Sequence, residues 1–177
     1  LPSAVDVVTA LLAQGATVLF RPHPHALSSP LAQHVRAVDA LLAAHVREHG
    51  RAHQPSQQAL AAPLATLVND SDALVADVSS VVSDYLFARK PYVILAMDDA
   101  GEAEFRTANP VTRGGHVVHR AGIVTTLGHA LTEALTEDPF RAARDEVRRH
   151  HLGDIPDDGY AERFREVLRA VVLGPSD

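Results

Sequence analysis

The chain has no cysteine and no tryptophan, a single methionine, and aromatic residues at only 5% of its 177 positions. Without thiols, a disulfide scaffold and thiolate zinc centres are excluded outright. Long apolar runs are missing as well. No stretch approaches the roughly 20 residues that a helix needs to cross a bilayer, and no signal peptide is legible at the start. Positive charge is scarce: 16 Lys and Arg stand against 22 Asp and Glu, a formal charge of −6. That balance argues against a general nucleic-acid binder, whose contact face is normally basic. It leaves room for a phosphate compound at one focused site, where a few N–H groups and local cations decide.

What is present is apolar material, 46% of the residues, which argues against a disordered chain. The length suits one domain with a core. The sequence opens Leu1-Pro2-Ser3 without methionine, which suggests a piece of something longer.

Hydrophobic spacing alternates between helix and strand. Val5, Val8, Leu11 and Leu12 recur at helical intervals after Pro2 and Ser3, and Gly15 ends that helix. Ala16 to Phe20 reads as a short strand. Leu31, Val35, Val38, Leu42 and Val46 form a stripe that predicts a long helix from near Ser29 to about His49. Leu60 to Val68 is helical, Ala73 to Ala76 a strand, and Tyr92 to Met97 another. Asp98 to Gly115 reads as a long loop, followed by a short strand at Val117 and Val118. Three helices close the chain: Ile123 to Leu135, Pro139 to His150 and Asp157 to Leu173. The last carries Phe164, Val167, Leu168 and Val171 on one stripe, and Asp157-Asp158 before Gly159 is a helix start. Strands separated by helices predict parallel pairing and a doubly wound α/β sheet.

Two segments carry candidate chemistry. In the first, the apolar run ends at Asp77, and Ser79 and Ser80 open a helix that continues through Asp84 and Tyr85. A strand, a polar turn and a helix start present backbone N–H groups and two hydroxyls to an anion. The same residues also suit a plain N-cap, a feature of most helices. The second segment is Arg21-Pro22-His23-Pro24-His25. Its two prolines stiffen the backbone, and alternation along an extended chain sets Arg21, His23 and His25 on one side. A cation and two imidazoles there suit holding a phosphate or protonating a leaving group. A Pro-rich turn with solvent-exposed histidines is the plain alternative, and a metal would need a third ligand that the sequence does not name. The loop with Arg113, Gly114, Gly115 and His116 covers a ligand or merely connects. His34, His45, His49, His53 and His129 read as surface residues on or beside helices.

Together these pieces resemble the CDP-glycerol glycerophosphotransferase family, the teichoic acid polymerases and primases. Arg21-Pro22-His23-Pro24 matches the family's Lys/Arg-x-His-Pro after a strand. Ser71-Asp72-Ala73-Leu74-Val75-Ala76-Asp77-Val78-Ser79-Ser80-Val81-Val82-Ser83-Asp84-Tyr85, then Lys90-Pro91, matches its Ser-Asp-x-Leu-x-x-Asp-Tyr-Ser-Ser-x-x-x-Asp-Tyr and later Lys-Pro. Val78 stands where the family has Tyr. The resemblance covers roughly residues 5 to 120.

The resemblance implies the C-terminal, donor-binding half of a glycosyltransferase-B architecture, with a Rossmann-like domain over residues 1–150. A C-terminal helix over 151–177 would pack on that domain or on an N-terminal half. The domain's first strand, central in its sheet, is expected before Leu1, so the gap is either tolerated or filled by a partner. The implied reaction transfers glycerol phosphate from CDP-glycerol to a hydroxyl of a teichoic-acid-like cell-wall polymer, at the cytoplasmic face of the membrane. No metal or cofactor is implied. His23 is the implied catalytic residue; Arg21, His25, Ser79, Ser80 and Asp84 bind the donor diphosphate; Asp77 orders the turn. This fragment alone is expected to be inactive, and a homo-oligomer is compatible with it. The alternatives are a transferase or epimerase using CDP-ribitol or a UDP-sugar, and a nucleotide-binding module without catalysis.

Overall fold

The computed structural model describes residues 3–98, 100–154, 156 and 158–173. Leu1, Pro2 and Asp157, named above, lie outside them. Ten α-helices and three short parallel strands make up the described regular structure, with 3-10 turns between.

The first helix, α1 (Ala4–Ala13), stops where Gly15 takes a φ of 72°, a left-handed turn that glycine adopts without steric penalty. After the proline segment comes a one-turn helix, α2 (His25–Ser28). The long α3 (Ala32–His49) buries Val35, Val38 and Leu42 and ends at Gly50, whose N–H donates to the Val46 carbonyl at 2.8 Å. The helix expected over Leu60 to Val68 is two pieces, α4 (Ser56–Ala61) and α5 (Leu64–Asp70). Pro63 is the cause: it offers no N–H, and it forces the preceding Ala62 to an extended ψ of 144°.

The sheet consists of β1 (Leu74–Ala76), β2 (Tyr92–Ala96) and β3 (His116–His119), in the order β1-β2-β3 and all parallel. Between β1 and β2 lies α6 (Ser80–Tyr85); between β2 and β3 lies α7 (Glu102–Ala108). Then follow α8 (Ile123–Thr136), α9 (Arg141–Leu152) and α10 (Tyr160–Leu173). β2 is buried along its whole length. One of its faces packs Tyr92, Ile94 and Ala96 against Val82, Tyr85, Leu86, Phe105 and Val147. The other packs Val93 and Leu95 against Val118, Ile123 and Leu127, with Val7, Ala10 and Leu11 of α1 alongside. A third cluster joins α1 to α3 through Val8, Val18, Val38 and Leu42.

This is not the doubly wound, Rossmann-like sheet that the sequence predicts, nor a glycosyltransferase-B domain. Strands of three, five and four residues form a small open sheet in a mostly helical chain. The expected strand at Ala16 to Phe20 shrinks to one bridge, Leu19 to Gln54. An apolar run supplies side chains for a strand, but a ladder needs a neighbour on its edge. Here only Gln54 provides one among the described residues. Among those residues, no helix is long and apolar enough to cross a membrane.

Candidate functional site

Pro22 and Ala26 are buried, and between them His23 and His25 stand exposed. The two rings are parallel within 6° with centroids 5.3 Å apart. The His25 backbone N–H donates to Nδ1 of His23 at 3.2 Å. That bond occupies the Nδ1 lone pair, so in the neutral ring the proton sits on Nε2, the outward nitrogen. Arg21 does not join them. Its guanidinium donates to the carbonyl of Ala59 and, at 3.1 Å, to that of Ala62, closing the C-terminal end of α4.

The second segment is exposed from Asp77 through Ser80, and Asp84 is exposed too. Ser79 is extended at the N-cap of α6 and makes no capping bond through its hydroxyl. The residues around this turn are structural. Lys90 Nζ donates to the carbonyls of Val68 (3.0 Å), Asn69 (2.8 Å) and Ser71 (2.6 Å) at the end of α5. The Ser71 hydroxyl bonds the Val68 carbonyl and the Tyr85 hydroxyl, each at 3.0 Å. Burial pushes the Tyr85 phenol up from its ordinary range. Ser71, Tyr85 and Lys90, three members of the motif read from sequence, thus form a clamp tying the end of α5 to α6 and to the segment before β2.

No hydrogen bond, ion pair or ring contact joins residues 21–25 to residues 77–85 among the described residues. One cleft of about 460 Å³ is lined by Asp84 with Leu64, Val68, Asn69, Phe87 and Ala88, an apolar setting. Another, of about 480 Å³, lies between α3 and α4 against Asp39, Leu42, Val46, His53 and Pro55. There His53, read from sequence as a surface residue, is buried. Its Nδ1 accepts the Val18 N–H at 3.1 Å, and its Nε2 lies 2.9 Å from Nδ1 of His45. Asp39 caps α4 by accepting from the Ser56 N–H (2.8 Å) and hydroxyl (2.5 Å).

The stretch Arg113-Gly114-Gly115-His116 has a packing role that the sequence reading missed. A side chain on Gly114 would meet the Tyr92 hydroxyl, and one on Gly115 would meet the Tyr92 backbone carbonyl. The Tyr92 hydroxyl donates to the Val111 carbonyl at 2.6 Å, and burial pushes its pKa to about 12. Arg144, also buried, donates to Asp138 at 2.9 and 2.5 Å and to the carbonyls of Arg89 (3.2 Å) and Gly114 (3.3 Å). The signal for this role was the glycine pair itself, next to an apolar segment, which marks close backbone approach.

Neither the curated proteins nor the solved structures provide a match to the chain. The family model described as CDP-glycerol:poly(glycerophosphate) glycerophosphotransferase matches residues 5–102. That span is the first and middle part of the chain, so the expected assignment as a C-terminal donor-binding half is corrected. The fold corrects the rest. A small three-stranded sheet among helices does not support binding of CDP-glycerol or a cell-wall acceptor. It does not support glycerophosphotransferase catalysis, or the alternatives built on other nucleotide donors. Because the match spans more than half of the 177 residues, the chain belongs to the CDP-glycerol:poly(glycerophosphate) glycerophosphotransferase family.

Proposed function

We propose that the chain is a binding module for small phosphate esters, without a catalytic step of its own. His23, His25, Ser79 and Ser80 supply the contacts. The observation that carries this reading is the histidine pair. Its rings are exposed and stacked between two buried residues, with Nδ1 of His23 engaged by the backbone. Such a ring presents its Nε2–H outward as a fixed donor, which suits a phosphate oxygen. The exposed Ser79 and Ser80 hydroxyls add donors that need no rearrangement of α6. Arg21 supports the segment from behind through α4, and Asp77 and Asp84 flank the serine turn.

Titration with glycerol 3-phosphate and with inorganic phosphate, followed by isothermal calorimetry, tests this. Millimolar binding is expected, with no phosphate released or transferred. A His23→Ala/His25→Ala variant is expected to weaken binding about tenfold or more, a loss of ~1.4 kcal/mol. Its thermal unfolding should stay unchanged, because both rings are exposed. Unchanged affinity in that variant contradicts the reading.

A further inference from the structure

We propose that His53 is a proton-sensitive latch that positions the Arg21–His25 segment: a proton added to its ring releases residues 18–20, from which that segment extends. The consequence for phosphate rests on the proposed function; the latch itself does not. Three hydrogen bonds in succession hold the stretch before Arg21. The Val18 N–H donates to His53 Nδ1 at 3.1 Å, the Gln54 N–H to the Val18 carbonyl at 3.0 Å, and the Phe20 N–H to the Gln54 carbonyl at 2.9 Å. Arg21 then docks on the carbonyls of Ala59 and Ala62. Residues 18–21 are thus mounted on residues 53–62. That stretch is mounted in turn on α3, where His53 bonds His45 and Asp39 accepts from Ser56. Val18 and His53 are both buried. In this frame, only the histidine contacts change character near neutral pH.

The direction of each bond follows from the first. Nδ1 of His53 uses its lone pair on Val18, so the neutral ring carries its proton on Nε2 and donates it to His45 Nδ1 at 2.9 Å. Neutral His45 then holds its own proton on Nε2. A further proton on His45 must enter at Nδ1, against the His53 N–H, and the half-buried His45 ring can turn away. A further proton on His53 must also enter at Nδ1, where it meets the Val18 N–H. Donor then faces donor, and the buried Val18 N–H loses its acceptor. The other charged groups around the pair do not relieve this. Arg51, on the same stretch, and His49, whose ring centroid lies 4.3 Å from that of His45, are both basic. Asp39 shares the cleft with His53, but both its carboxylate oxygens accept from Ser56. Burial, then His45 and Arg51, hold the His53 imidazole below 6.5. The latch is therefore closed at neutral pH and opens in mild acid.

NMR of the intact chain from pH 7.5 to pH 5, with no phosphate present, tests this. The Val18 and Phe20 amides should move along the titration curve of the His53 ring, with a midpoint below 6.5. Their protection against hydrogen exchange should fall about tenfold or more across that curve, while Ile94 stays unchanged. In His53→Gln, which keeps a donor and an acceptor without a titrating ring, both amides should hold still. In His23→Ala/His25→Ala, the amides at positions 23 and 25 report the segment without rings of their own, and they should follow the wild-type curve. Immobile Val18 and Phe20 amides while the His53 ring titrates would overturn the proposal. So would the same movement in His53→Gln, movement shared by Ile94, which marks global unfolding, or stillness at positions 23 and 25. The wild-type curves decide alone if His53→Gln does not fold. With phosphate absent throughout, none of these outcomes bears on whether the segment binds it.

Discussion

Single side chains decide more of this molecule than its composition suggests. Arg144 is buried, and one carboxylate and two carbonyls converge on it. Replacing it with alanine removes these bonds from a buried site and is expected to cost about 1.5–3 kcal/mol, while Asp138, 27% exposed, keeps part of its hydration. Tyr92→Phe removes the bond to Val111 from a buried carbonyl and should cost about 1–2 kcal/mol in chemical denaturation. Gly115→Ala should be worse, since the added methyl meets the Tyr92 backbone, which cannot step aside. His53 sets a pH dependence. Burial, then His45 and Arg51, hold its imidazole below the ordinary value of 6.5. The unfolded chain takes up that proton near 6.5 while the folded chain resists. The stability tied to this site is thus complete above about pH 6.5 and is lost as pH falls through the lower native value. His116, lowered chiefly by burial, adds in the same direction. Melting temperature should fall from pH 7 to pH 5, and His53→Gln should flatten that slope.

At the scale of elements, periodicity was a good guide and pairing was not. Helices α3 and α8 are legible because each buries apolar residues at helical intervals, and α1 because its apolar residues recur at that spacing, although only Val8 among them is fully buried. The sequence of α7 reads as loop because only Phe105 among its seven residues is buried, so no stripe exists to read. Its helix is held instead by local bonds, Arg106 to Glu102 at 2.9 Å and to the Thr112 carbonyl at 2.6 Å. The apolar run from Ala16 to Phe20 predicts a strand but says nothing of what lies on its edges, and only the bridge from Leu19 to Gln54 forms. The motif from Ser71 to Lys90 was legible as a unit, but its division of labour was not. Sequence marks Ser71, Tyr85, Lys90, Ser79 and Ser80 alike, while the structure turns the first three inward and leaves the serine pair outside. Lys90→Met should therefore destabilise by about 1.5–3 kcal/mol through three lost charge-assisted bonds, with phosphate affinity altered only as the fold loosens. α10 shows the reverse. Its apolar stripe predicts the helix, yet Phe164 is 65% and Val171 77% exposed. Phe164→Ser and Val171→Ser should shift stability by less than about 0.5 kcal/mol each.

Over the whole molecule, family membership and architecture say different things. The match over residues 5–102 covers both candidate segments, while the sheet that would join them is a three-strand fragment beside a single bridge. Each segment follows a short extended stretch, and each is held by its own clamp: Arg21 on α4, Lys90 on α5. Under the proposed function, both segments serve one phosphate ligand. Its most direct test is an NMR titration of the chain with inorganic phosphate, following the His23 ring and the Ser79 and Ser80 amides together. All three signals should move along one binding curve with a common midpoint. Movement of one segment alone, or two different midpoints, would contradict it.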